Sequence, residues 1–168
     1  MMDIIKAPNF LSQTKNKHLL LDTSIFIDGL INPSEFQKLF DELKDNKCAL
    51  VTIVPVMVEF VKGAQNIQKF EIKKSYLEGI IDSYLPLREE ALVNLEKLVK
   101  NYKEDGKSTS IVDFLLGSIL AFYAPHVLLL TKNIHDFPTN IFKLESYFLL
   151  NHRKALQVYG VYSYYNRK

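Results

Sequence analysis

Four places in this chain put carboxylates where an apolar run gives way to polar residues, and these are the side chains equipped for chemistry. Asp22 follows directly on His18-Leu19-Leu20-Leu21 and precedes Thr23 and Ser24. Glu59 sits in Val56-Met57-Val58-Glu59-Phe60-Val61, one helical turn after a second apolar run. Asp113 stands in Ser110-Ile111-Val112-Asp113, at the head of a long apolar segment. After a third run, Thr131-Lys132-Asn133-Ile134-His135-Asp136-Phe137 brings an amide, an imidazole and a carboxylate together. Carboxylates that meet in one cleft repel one another and raise each other's pKa unless a cation neutralises them. Oxygen donors of this kind suit Mg²⁺ or Mn²⁺, and hydrolysis of a phosphodiester is the reaction such a site serves.

Each residue also has a plainer reading. Asp22 is placed to cap the following helix or to order a turn with Thr23 and Ser24. Asp113, three residues after Ser110, suits the acidic half of a capping box or a favourable charge at a helix N-terminus, yet on a helical wheel it shares a stripe with Gly117, Leu120, Ala121 and Ala124. Glu59 falls at the edge of an apolar face, where glutamates are usually solvated, beside the small Gly63. The Lys132 to Asp136 segment has the composition of an ordinary polar turn.

The elements that must position these residues alternate in type. His18–Leu21, Ala49–Ile53 and Val127–Thr131 are short continuous apolar runs, the pattern of buried parallel strands. Between them the apolar spacing is helical. Helices are expected from Pro33 to about Asn46, from Pro55 onward, from Gln65 to Tyr84 with Pro86 closing it, from Ala91 to near Gly106, and from Ser110 through Tyr123. The pattern predicts an α/β fold, a three-layer α/β/α sandwich around a mainly parallel sheet whose carboxyl edge gathers the acids. Residues 1–17 read as a polar, loosely ordered arm and residues 18–168 as one domain.

Composition narrows the class. The 168 residues are 48% hydrophobic and 24% charged, as in one globular domain, and the single Cys48 rules out a disulfide framework or a cysteine zinc site. A net charge of +2 is too small for a general nucleic-acid coat. Neither a signal peptide nor a run of the roughly eighteen apolar residues of a membrane span is evident, so a reduced, cytoplasmic protein is expected. No Gly-x-Gly-x-x-Gly or Gly-x-x-x-x-Gly-Lys loop is present to cradle a nucleotide, and no His-Glu-x-x-His. Ser24 occupies the place where an aspartyl-phosphate phosphatase needs a second aspartate and an aspartic protease needs glycine.

Taken together, the strand with Asp22-Thr23-Ser24, the Val58-Glu59-Phe60 segment, Ser110-Ile111-Val112-Asp113 before an apolar helix, and Leu130 to Phe137 resemble the PIN-domain nucleases, in particular VapC-like toxins, over residues 18 to 138. The resemblance implies a metal-dependent endoribonuclease that leaves 5′-phosphate and 3′-hydroxyl ends. Asp22, Glu59 and Asp113 are then the core acids holding Mg²⁺ or Mn²⁺, and Ser24 supports Asp22. The fourth ligand position matches Asn133, or Asp136 acting through water. Ser24, Thr131, Lys132 and His135 are expected on the substrate side. A homodimer, an RNA substrate and an antitoxin partner are implied as well. The arm at residues 1–17 and the helical stretch from 65 to 104 depart from the compact family pattern. The alternative is a PIN-like module that has lost effective metal binding and serves to bind RNA or protein, and Asn133 is the feature in its favour.

Around the acids, Lys62, Lys107, Lys132, His135, Arg153 and Lys154 are candidates to hold an RNA backbone. The tail from Val158 to Tyr165 holds four of the nine tyrosines in an alternating pattern. That pattern favours a last strand over a surface for stacking bases.

Overall fold

The computed structural model describes residues 4–104, 109–152 and 155–165, so the expectations for Lys107, Arg153 and Lys154 lie outside the described residues. The central strands form as expected. β2 (His18–Leu21), β3 (Ala49–Thr52) and β5 (Val127–Thr131) are parallel neighbours, with β2 in the middle. Leu19, Leu20, Leu21, Leu50, Val51, Leu129 and Leu130 are fully buried, which is why these strands read as unbroken apolar runs instead of alternating ones. The fold is α/β and three-layered. Its seven-stranded sheet runs β1-β6-β7-β5-β2-β3-β4 and is mixed, parallel from β5 to β4 and antiparallel across the wing formed by β1 (Ile4–Lys6), β6 (Phe142–His152) and β7 (Ala155–Tyr164).

Side chains on β7 alternate between the two faces, and each face has its own helices. Tyr159 packs with Phe148 of β6 against Phe36 of α3 (Pro33–Asp45), and Phe10 of α1 (Phe10–Thr14) meets Phe148 edge-on. Tyr162 and Tyr164 face the other way, with Phe137 and Phe142. There the Phe142 ring lies under Gly117 of α7 (Ile111–Phe122), where an added Cβ would come within 3.0 Å of it. α6 (Glu89–Glu104) lies along α7, its Tyr102 edge-on to Phe114. Near the acids, Phe26 of α2 (Thr23–Ile31) contacts Phe60 of α4 (Val54–Lys62), and Phe60 contacts Tyr76 of α5 (Ile67–Ile80).

Two expectations need correction. Residues 4–14 are ordered: Ile4–Lys6 is an edge strand paired antiparallel with Leu150, Leu149 and Phe148, and Phe10 is completely buried. One aromatic anchor and three strand residues suffice where the hairpin partner is already present. The helix expected from Gln65 to Tyr84 stops at Ile80. Beyond it Asp82 bonds Leu50 twice, accepting from the Leu50 N–H through its carboxylate at 2.7 Å and donating its own N–H to the Leu50 carbonyl, so Ser83–Tyr84 extends along β3 as β4. β6, a strand not expected from the sequence, carries a register shift between Leu144 and Ser146 that breaks its alternation. No described helix is long and apolar enough to cross a membrane.

Candidate active site

The three central strands end side by side at the carboxyl edge of the parallel half. Leu21 is in register with Leu130, Asp22 donates its N–H to the Leu130 carbonyl at 3.2 Å, and the Thr52 hydroxyl donates to the Leu21 carbonyl at 2.9 Å. Asp22 therefore stands on the middle strand at the sheet edge where α/β folds bind ligands.

Asp22 is 2% exposed and caps α2, accepting from the Thr23 N–H at 2.6 Å. Its second oxygen accepts from the Thr131 hydroxyl at 2.7 Å and the Ser24 hydroxyl at 2.8 Å. Burial raises its pKa above the ordinary carboxylate range. The bonds from Thr131, Ser24 and Thr23 oppose that, and the charge of Glu59 adds to it. The capping role is thus real, but it leaves a buried carboxylate whose partners among the described residues are hydroxyls and an amide, with no cation.

Asp113 repeats the arrangement on α7. Ser110 is the N-cap: its hydroxyl oxygen accepts from the Asp113 N–H at 3.1 Å and its O–H donates to the Asp113 carboxylate at 2.5 Å. Burial pushes the Asp113 pKa from 3.8 to about 6. The Ser110 bond opposes this, while the charges of Asp22, Asp136 and Glu59 push it further up. Asp113 thus lies within the field of three other acids.

Glu59 reaches the same cleft from α4. Its carboxylate accepts from the Thr23 hydroxyl, which ties α4 to α2 next to the Phe26–Phe60 contact. Lys62, 4.0 Å away and 68% exposed, neutralises it only weakly. The space beside Gly63 belongs to Lys73, whose ammonium lies 3.5 Å from where a Cβ would sit and donates to the Phe60 carbonyl.

These three acids and Asn133 line a cleft of about 510 Å³, together with Ser24, Asp28, Lys62 and Lys132. The remaining expected residues are placed differently. Thr131 is fully buried behind Asp22 and accepts from the Asn133 N–H at 2.9 Å, so it braces the site and is closed to a substrate. Asp136 ends the short helical turn Ile134–Asp136 outside the cleft lining, although its charge reaches Asp113 and the Tyr102 hydroxyl donates to its carbonyl. His135 is exposed on the same turn. Sequence reasoning missed Thr23 as a holder of Glu59, and it missed Asp28. The spacing of Ser24 and Asp28 on one face of α2 was the available signal for the latter.

Among the described residues no group of three or more His, Cys, Asp or Glu side chains forms a ready-made ligand set for a metal. The chemistry of the donors nevertheless fits Mg²⁺ or Mn²⁺: they are hard oxygens, two of them buried, coupled to one another by charge, and no ion pair among the described residues involves Asp22 or Asp113. A cation shared by these acids would be held by carboxylates that the hydroxyls of Ser24, Thr23 and Ser110 already orient. Set beside models of known families, curated proteins and solved structures, the chain gives no match in any of the three comparisons.

Proposed function

We propose that this chain is a divalent-metal-dependent endoribonuclease of the PIN type. The observation that carries the reading is the pair of buried acids, Asp22 and Asp113, facing one cleft at the carboxyl edge of the parallel strands without a cationic partner among the described residues. Asp22, Glu59 and Asp113 would hold Mg²⁺ or Mn²⁺, with Asn133 nearby and Asp136 acting from a distance. When bound, the metal lowers the pKa of a water and offsets charge on the phosphate under attack. The protein's own part is positioning. Ser24 and Thr131 fix the Asp22 carboxylate, Thr23 fixes Glu59 and Ser110 fixes Asp113, so that the acids keep their orientation while a phosphodiester enters. Cleavage would leave 5′-phosphate and 3′-hydroxyl ends. The role that goes with this reading is that of a toxin, a homodimer inhibited by an antitoxin.

The test is cleavage of a panel of single-stranded and transfer RNAs by wild type and Asp113→Asn, with Mn²⁺, Mg²⁺ or chelator. Cutting that needs the metal and drops at least about a hundredfold in the variant is expected, since charge stabilisation by a metal is worth several kcal/mol. A second reading, a PIN-like binding module without turnover, is favoured by the lack of a ready-made ligand set among the described residues and by Asn133 in place of an acid. A folded wild type that cuts nothing and shows no Mn²⁺ binding by titration selects that reading.

A further inference from the structure

An acidic cleft repels RNA unless something fixed and positive stands at its mouth. Lys62 and Lys132 are the basic residues lining this cleft among the described residues. Lys62 is mostly in solvent and loosely placed near Glu59. Lys132 is held from several directions. Its ammonium donates to Asp28 at 2.7 Å, and the Asp28 side chain is only 9% exposed. The same Asp28 oxygen accepts from the Tyr159 hydroxyl at 2.8 Å, and the Tyr159 ring, completely buried, stacks on Phe148 with centroids 4.4 Å apart. At the other end of the residue, the Lys132 N–H donates to the Ser24 hydroxyl oxygen at 3.2 Å, and Ser24 in turn holds Asp22. An ammonium has three donors. The bond to Asp28 takes one and leaves the others for a ligand in the cleft.

Resting on the nuclease reading above, we infer that Lys132 is the residue that receives a phosphate of the RNA backbone, and that Asp28 and Tyr159 are positioning residues that set its ammonium at a fixed offset from Asp22. The chain of contacts runs from β7 through α2 to the β5 loop, so the phosphate-binding cation and the reacting acid share one rigid support. A lysine tethered in this way gives up little side-chain freedom when the phosphate arrives, whereas a free surface lysine gives up most of its freedom.

The experiment uses the full chain and a labelled single-stranded RNA, with cleavage followed at several salt concentrations and binding followed in the presence of chelator. Lys132→Gln is expected to raise KM about tenfold with kcat within about threefold, as for loss of one charge-assisted hydrogen bond. It should also flatten the dependence of log binding on log salt by about 0.7, the contribution of one phosphate on a single strand. Lys132→Arg keeps the charge and should return KM to within about threefold of wild type. Asp28→Asn should raise KM several-fold on its own and add nothing to Lys132→Gln, because a positioning residue acts only through the residue it positions. Tyr159→Phe, which keeps the stacked ring, should shift KM in the same direction by a smaller factor. An unchanged KM and salt slope in Lys132→Gln, while wild type cuts RNA and needs Asp113, overturns the inference and leaves the nuclease reading standing. Wild type that neither cuts nor binds RNA overturns both.

Discussion

At the scale of the residue, Asp113 is an acid kept where its charge is unwelcome. Burial and three neighbouring carboxylates raise its pKa from 3.8 to about 6. A carboxyl whose folded pKa lies above its unfolded value supports folding at low pH, and that support is lost as pH rises through the folded value. The metal-free protein should therefore lose stability between about pH 4 and pH 6 on account of Asp113, by up to about 3 kcal/mol at neutral pH at 1.36 kcal/mol per pKa unit. The Asp113→Asn variant keeps an oxygen to accept from Ser110 and carries no charge. Urea denaturation with chelator present should find it about 1–3 kcal/mol more stable than wild type at pH 7.5, with the gap shrinking to about a third of that at pH 4.5. A variant equally or less stable at pH 7.5 would show that the carboxylate is already compensated. Asp22, Glu59 and Asp113 were legible in the sequence because each is fixed by local spacing relative to a strand end or helix start. Asp28 and Tyr159 were not, since their contact joins α2 to a strand that returns to the site from far along the chain.

At the scale of the element, the least legible parts were those whose partners are distant or whose pattern is interrupted. The parallel strands declared themselves because burial on both faces demands continuous apolar residues. β1 spans only Ile4–Lys6, too short to show a period, and β6 loses its alternation at the shift between Leu144 and Ser146. The N-terminal segment is nonetheless part of the core through one side chain. Phe10 is fully buried and meets Phe148 edge-on with centroids 5.8 Å apart, and Phe148 in turn stacks on Tyr159. Phe10→Ala should cost about 3–5 kcal/mol in urea denaturation, the range for emptying a buried phenylalanine site. Ile5→Ala, at a residue 57% exposed on the same segment, should cost less than about 1 kcal/mol. Equal small losses at both positions would mean that the segment adheres without supporting the fold.

At the scale of the whole molecule, the sheet brings to one edge Asp22 and Asp113, which have no ion-pair partner among the described residues, while the chain as a whole is nearly neutral, at +2. Metal binding should then be visible as stability. A ligand that binds only the folded form stabilises it by RT ln(1 + [L]/Kd), about 2.7 kcal/mol at a hundred times Kd. For a chain of this size that raises Tm by roughly 5–10 °C. Protons compete for the same carboxylates. With burial and the neighbouring acids raising the Asp113 pKa to about 6, the gain from Mn²⁺ should be full at pH 7.5 and fall to about half at pH 5. In Asp113→Asn it should be small at both. On the nuclease reading the Thr23 and Ser110 hydroxyls would keep Glu59 and Asp113 oriented while the remaining lone pairs of those carboxylates take the metal. Thr23→Val, which leaves Glu59 without its hydroxyl donor, should therefore alter the Mn²⁺ concentration needed for half the shift without removing the shift. Melting curves across a MnCl₂ series at the two pH values check all of this. A Tm unmoved by Mn²⁺ at pH 7.5 would leave the acids without a cation and favour the reading of the cleft as a binding surface over the proposed nuclease.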